Sequence, residues 1–308
     1  MRARYFTIVL IPVILAFLGS NGCVSRLERE KSVFVAAPFL GEPGFLKVDF
    51  EPPAVMALCG ESLPLELPAV KERFEAEFLL AVNHQAQVRL WQRRAKRFFP
   101  AMEAALKVAG LPDDLKYLAV AESDLRPRVF SPAGAAGIWQ FIPTTARRYG
   151  LKVNKLEDQR LLAEPSLVAS LKYLTFLRDK FGGWALAMAA YNAGEARIVK
   201  AIAKLGQADY YQLRLPRETE RYVYRIAAIK AVLEQSSLWG LADQTPLDLY
   251  KPWVFTETKE TFDQPMTWAN LAQKLGVDYK DLRSLNPHLA ERDSLVGGPF
   301  LFRVPKKT

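Results

Sequence analysis

The sequence predicts a mainly α-helical protein with a small α+β module at its C-terminus. Between Val70 and Gln235 apolar residues recur at helical spacing, and no stretch there reads convincingly as a strand. Prolines stand at the expected helix heads (Pro112, Pro143, Pro165, Pro216) and glycines at the expected ends (Gly110, Gly150, Gly182, Gly183). After Pro246 and Pro252 the pattern changes to strand, helix, helix, strand. Half of the 308 residues are hydrophobic, which is enough to bury a real core.

Residues 1–22 read as an export signal. Arg2 and Arg4 precede an apolar run, Tyr5 to Leu18, that is short for a membrane span, and Gly19-Ser20-Asn21-Gly22 then leads to Cys23. This resembles a bacterial lipoprotein signal. The resemblance implies cleavage before Cys23, lipidation of that cysteine and an outer-membrane lipoprotein facing the periplasm. Val24 follows, not the aspartate associated with inner-membrane retention. Ser20 stands where such signals usually carry leucine, so a conventional signal peptide and a soluble periplasmic protein form the alternative. Residues 23–69 carry Pro38, Pro43, Pro52, Pro53, Pro64 and Pro68 and read as a tether, partly packed on the next domain. Cys59 is expected to be a buried thiol or a bystander if Cys23 is acylated; a bridge between them is open otherwise.

The helical domain is expected over 70–240. Val70 to about Phe99 reads as one long helix, with Pro100 beginning or kinking the next and Gly110 ending it. Its basic stretch, Trp91 to Arg97, reads as a solvated face. From Pro112 a further helix carries Leu115, Leu118, Ala119 and Glu122 on one side, and Pro127 ends it near Asp124. A carboxylate on an apolar stripe, in a last turn, is disfavoured in its charged form by burial and by the helix dipole. A carboxylic acid still neutral near pH 7 is what glycosidic cleavage needs from a general acid. On position alone, a solvated or salt-bridged glutamate is the commoner case.

The loop SPAGAAG follows, with Gly134 and Gly137 permitting left-handed angles or close approach. Trp139 and Phe141 offer rings on which a sugar can stack, and Gln140 an amide; core aromatics in an ordinary turn are the other reading. Asp158 and Arg160 can form an ion pair that pins a loop. A helix opened by Pro165 buries Leu167, Leu171, Leu174 and Leu177. The alanine-rich run Trp184 to Tyr191 and a helix from Glu195 to Leu205 come next. The last helix starts near Pro216 and places Tyr222, Ile226, Ile229 and Leu233 on one face.

Glu122-Ser123, Gly137-Ile138-Trp139-Gln140 and Ala190-Tyr191-Asn192, in that order, resemble the lytic transglycosylases that cleave bacterial peptidoglycan. The longer pattern ESxxxPxxxSPAGAxGxWQFxPxTAxxYGL is most similar to their membrane-bound D group. The resemblance spans roughly residues 90 to 235 and is specific because the motifs are ordered. It implies a lysozyme-like helical catalytic domain. It also implies Glu122 as catalytic acid and base, with Ser123, Ser131, Gln140, Tyr191, Asn192 and Tyr222 binding substrate. Glycosidases ordinarily add a second carboxylate. Asp124, two residues on, faces another way, and the motifs supply no other. This fits the family chemistry, in which the sugar's own 6-hydroxyl attacks and leaves a 1,6-anhydromuramyl end. A hydrolytic muramidase of goose-lysozyme type and an inactive wall-binding scaffold are the alternatives.

The expected partners are peptidoglycan glycan strands and, through an N-terminal lipid, a membrane. No metal or cofactor is expected, since His84 and His288 lie far apart and outside every motif. The net charge of +9 suits an acidic polymer or a plain basic surface, and no basic-aromatic interleaving suggests nucleic acid. After a linker at 241–251, residues 252–308 read as strand (Trp253–Thr256), helix (Thr267–Lys274), helix (Asp278–Leu285) and strand (Phe300–Val304). LAQKLGVDYKDLRSLNP resembles a LysM module, which implies binding to N-acetylglucosamine chains. The usual Gly-Asp-Thr is replaced by Gln264-Pro265-Met266-Thr267, so a structural cap is the alternative. The module is expected to hold glycan and to take no part in bond cleavage.

Overall fold

The computed structural model describes residues 50–241, 250–289 and 294–306. The expected signal (1–22), Cys23, the tether as far as residue 49 and most of the linker lie outside the described residues.

The described end of the tether belongs to the domain. A short hairpin, β1 (Ala57–Leu58) and β2 (Glu61–Ser62), turns through Cys59 and Gly60, both at positive φ. Met56, Leu58, Cys59 and Leu63 are buried in the main core. Long-range polar contacts hold them there. The Asp114 carboxylate accepts the Cys59 N–H (2.6 Å) and pairs with Lys230 (2.8 Å), whose ammonium also donates to the Ala57 carbonyl (3.0 Å). Cys59 is buried, and burial pushes its thiol well above the ordinary range, so it is not poised to react.

The long helix expected over residues 70–99 is two helices, α1 (Pro68–Asn83) and α2 (Gln85–Ala109), broken at His84. His84 leaves helical angles (φ −87°, ψ 56°) and its N–H turns back to the Ala81 carbonyl. Pro100 lies inside α2 and on its exposed side, where the carbonyl deprived of its partner can reach water. Gly110, at φ 65°, ends α2.

A 3-10 turn (Asp113–Leu115) leads into α3 (Lys116–Ser123). Leu115, Leu118 and Ala119 are fully buried, as their spacing predicts. Then come α4 (Pro143–Arg148), α5 (Ala163–Phe181), α6 (Trp184–Ala193), α7 (Glu195–Leu205) and α8 (Arg217–Glu234). α8 packs against α1, α3 and α6 and so crosses the centre of the core. Glu61 from the hairpin caps α6, its carboxylate accepting the Trp184 N–H at 2.7 Å.

The C-terminal module is β3 (Phe255–Thr267), α9 (Trp268–Leu275), α10 (Tyr279–Leu285) and β4 (Ser294–Pro305), with β3 and β4 antiparallel and Thr256 opposite Val304. The strands run longer than expected. Pro265, which argues against strand, falls at a register shift between Phe262 and Met266, where the ladder does not need its missing N–H. Phe262, Trp268, Leu271, Leu282 and Phe302 form a core of the module's own. The module nevertheless sits in one compact unit with the helical domain. No helix among the described residues is long and apolar enough to cross a membrane.

Candidate active site

The last turn of α3, the 131–142 loop, the end of α6 and the start of α8 enclose an open cleft of about 570 Å³. Glu122, Ser131, Gln140, Tyr191, Asn192 and Glu218 all line it. Asp124 and Leu125 are both left-handed (φ 55° and 57°), so the chain leaves the helix at once and Glu122 stays in its final turn.

The Glu122 carboxylate is partly buried and accepts a hydrogen bond from the Tyr222 hydroxyl across a hundred residues of sequence. Burial raises its pKa from the ordinary 4.5 to about 7; the Tyr222 hydroxyl and the Arg225 charge pull it down, and the Glu218 charge adds to the rise. The carboxyl is therefore poised to give and to take back a proton near neutrality. Tyr222 is itself buried, and burial with the nearby carboxylate pushes its phenol well above the ordinary value, so it remains a donor.

Tyr191 donates to the Trp139 carbonyl (2.7 Å) and packs against the rings of Tyr173 and Phe141. The Asn192 side-chain oxygen accepts the Thr219 hydroxyl at 2.8 Å, which ties the end of α6 to the first turn of α8. Ser131 closes the SPAGA turn, its hydroxyl oxygen accepting the Ala135 N–H at 3.0 Å. Gln140 (φ 47°) donates through its amide nitrogen to the carbonyls of Gly137 (2.8 Å) and Val129 (3.2 Å). Both amide hydrogens are thereby committed, and only its oxygen is left for a sugar hydroxyl.

Arg160 braces this wall from behind. It pairs with Asp158 (2.6 Å), as the spacing predicts, and donates to the Gly134 (2.7 Å) and Phe141 (2.8 Å) carbonyls. Gly137 passes so close that a Cβ there would stand 1.8 Å from the Arg160 carbonyl oxygen.

The family model for the transglycosylase SLT domain matches residues 99–213. The whole chain aligns with membrane-bound lytic murein transglycosylase D of Escherichia coli K12, at 30% identity over 318 residues and 69% of that protein's length. The chain belongs to the lytic murein transglycosylase family. The soluble lytic murein transglycosylase of Salmonella typhimurium is 36% identical over 83 residues, covering 25% of this chain and 13% of that protein. Among solved structures, the 70 kDa soluble lytic transglycosylase of Escherichia coli overlaps 57% of this chain and about a third (32%) of its own, at 22% identity and a TM-score of 0.39.

In this transglycosylase two sequence expectations are corrected, and a choice the sequence left open is resolved. Ser123 does not reach the cleft: it is buried, and its hydroxyl donates to the Ile138 carbonyl at 2.8 Å, fastening α3 to the 137–141 turn. Of the two readings of the aromatic pair, the core reading holds for Trp139, which is fully buried, whereas Phe141, though buried too, lines the cleft. The basic stretch on α2 is not a solvated face. The Trp91 indole donates to the Asp124 carboxylate (2.8 Å) and Arg94 to the Asp124 carbonyl (2.9 Å), so the stretch holds the exit of α3. Asp124 lines a neighbouring groove instead of the cleft, as its place in the helix predicts.

Glu218 and Arg225 were missed. They lie four residues before and three after Tyr222, on the same side of α8, and that spacing was the available signal.

Proposed function

We propose that this protein is a peptidoglycan lytic transglycosylase that cleaves the β-1,4 bond between N-acetylmuramic acid and N-acetylglucosamine. The observation that carries this reading is Glu122 itself, a carboxyl that accepts the Tyr222 hydroxyl in an open cleft of about 570 Å³ and whose pKa burial raises to about 7. Protonated Glu122 gives its proton to the glycosidic oxygen as the bond to the anomeric carbon breaks. The resulting carboxylate is steadied by the Tyr222 hydroxyl and the Arg225 charge. The muramic 6-hydroxyl oxygen then bonds to the anomeric carbon, and its proton returns to Glu122. Water is not consumed, and Glu122 ends as it began. Ser131, Gln140, Tyr191 and Asn192 are proposed to seat the sugars from the cleft wall.

Glu218 supports a second reading. It is a carboxylate in the cleft, of the kind a hydrolytic muramidase uses to activate water or to attack the sugar. Mass analysis of products from purified peptidoglycan separates the two. Anhydro ends, lighter by one water than reducing ends, support the transglycosylase, and reducing ends alone would replace it with a hydrolase.

Cys23 is proposed to be the lipidated N-terminus, anchoring the protein to the outer membrane on its periplasmic side. Fatty-acid labelling of wild type, absent in Cys23→Ala, supports this; an unlabelled wild type overturns it. The strand, helix, helix, strand order of residues 252–308 supports a LysM-like module that contacts glycan.

A further inference from the structure

The C-terminal module meets the catalytic domain at the segment that braces the cleft wall. The Asp158 N–H donates to the His288 carbonyl at 2.7 Å, and Glu157 pairs with Leu289 as an antiparallel bridge. Arg303, buried in the module, pairs with Glu164 at the head of α5 (2.7 Å). On the other flank Trp253 lies edge-on to Phe98 (5.8 Å between centroids), with the Arg97 guanidinium 4.6 Å from its ring centre.

From the first of these joints to the cleft there are few steps, each with a short contact. Asp158 takes its backbone bond from the module and holds Arg160 with its carboxylate. Arg160 holds the Gly134 and Phe141 carbonyls. Phe141 follows Gln140 directly, and Gly134 lies in the turn begun at Ser131; the side chains of Gln140 and Ser131 line the cleft together with Glu122.

We propose that the docked module is a positioning element for cleavage: through Asp158 and Arg160 it sets the 131–141 wall at its working distance from Glu122. The module thus acts on turnover as well as on any hold it has on glycan. This inference rests on the transglycosylase reading of the cleft.

The test uses the full chain. Glu164→Lys sets like charges against Arg303, and Trp253→Ala removes the ring on the other flank. Both residues lie outside the cleft. Opening of the joint is read directly as hydrogen exchange at the Asp158 amide. Where the double variant leaves that amide protected, urea below the global unfolding range provides graded opening. Cleavage is followed on short soluble glycan fragments, so that retention on insoluble wall plays no part. As Asp158 loses protection, the amides of Ala135 to Gly137 should lose it too. kcat should fall about tenfold with KM changed less than about twofold, since a misplacement of about 1 Å can cost ~100-fold and a partial opening of the joint shifts the wall by less. An open Asp158 amide with unchanged kcat overturns the proposal. So does a fall in kcat with full protection of residues 135–137. A wild type that fails to cleave at all tells against the transglycosylase reading, and the exchange data still report whether the joint governs the wall.

Discussion

Glu122→Gln is expected to slow cleavage by orders of magnitude and, at alkaline pH, to stabilise the fold. Burial raises the Glu122 pKa from 4.5 to about 7. Between these values the unfolded chain has lost a proton that the folded chain still holds, so wild-type stability falls as pH rises through that window. Each pKa unit is worth ~1.4 kcal/mol, so the buried carboxylate weakens the fold by on the order of 3 kcal/mol at about pH 8. At about pH 3, below both values, the effect vanishes. Glutamine has no proton to lose and keeps an oxygen to accept the Tyr222 hydroxyl, so the variant escapes the penalty. Urea unfolding should therefore show a higher midpoint for Glu122→Gln at about pH 8 and coincident midpoints at about pH 3. Lysis of purified peptidoglycan should fall by ~100- to 10,000-fold, the range expected when a general acid-base is removed. Equal midpoints at the higher pH, or the same gain at both, would refute burial as the source of the raised pKa. Retained lysis would take Glu122 out of the mechanism.

Tyr222→Phe removes a donor that favours the charged carboxylate. A hydrogen bond to a charged group is worth ~1.5–3 kcal/mol, so the alkaline limb of the pH–rate profile should move up by roughly one to two units. A downward shift contradicts the hydrogen bond. Glu218→Gln should move the same limb down, and by less, because the Glu218 charge is the smallest contributor to the Glu122 shift. Ser123→Ala should lower stability by ~1 kcal/mol through the lost bond to Ile138 while leaving KM for soluble glycan unchanged; a raised KM would return the hydroxyl to the cleft. Glu61→Ala uncaps α6 and should lower stability by ~1–2 kcal/mol in thermal unfolding. An unchanged midpoint would mean that the hairpin adds nothing to α6.

The features legible in the sequence are those with local causes. The stripe Leu115, Leu118, Ala119, Glu122 follows from helical spacing, and the end of α3 at Ser123 from the approach of Pro127. Gly110 and Gly182 end their helices because each takes a left-handed angle without a Cβ penalty. Tyr222 heading the buried face of α8 was legible from spacing, while its bond to Glu122 comes from the packing of α8 on α3. The direction of the Glu122 shift was legible too, since a carboxylate on an apolar stripe must be desolvated if the stripe is buried.

Contacts between distant segments decided the rest. Nothing local marks the break at His84, which carries neither proline nor glycine. Residues 56–63 look like tether because they lie between Pro52-Pro53 and Pro64 and are too few to show a period; they join the core through Asp114, Lys230 and the head of α6, all more than fifty residues away. Whether Trp139 faces sugar or core, and whether Ser123 faces cleft or backbone, depends on how the 137–141 turn folds against α3 and α6. Helical and turn preferences act over a few residues and are written in short runs of sequence. Burial, and with it the pKa of Glu122 and the bracing of its cleft by Arg160, arises only when segments far apart in the chain exclude water from one another.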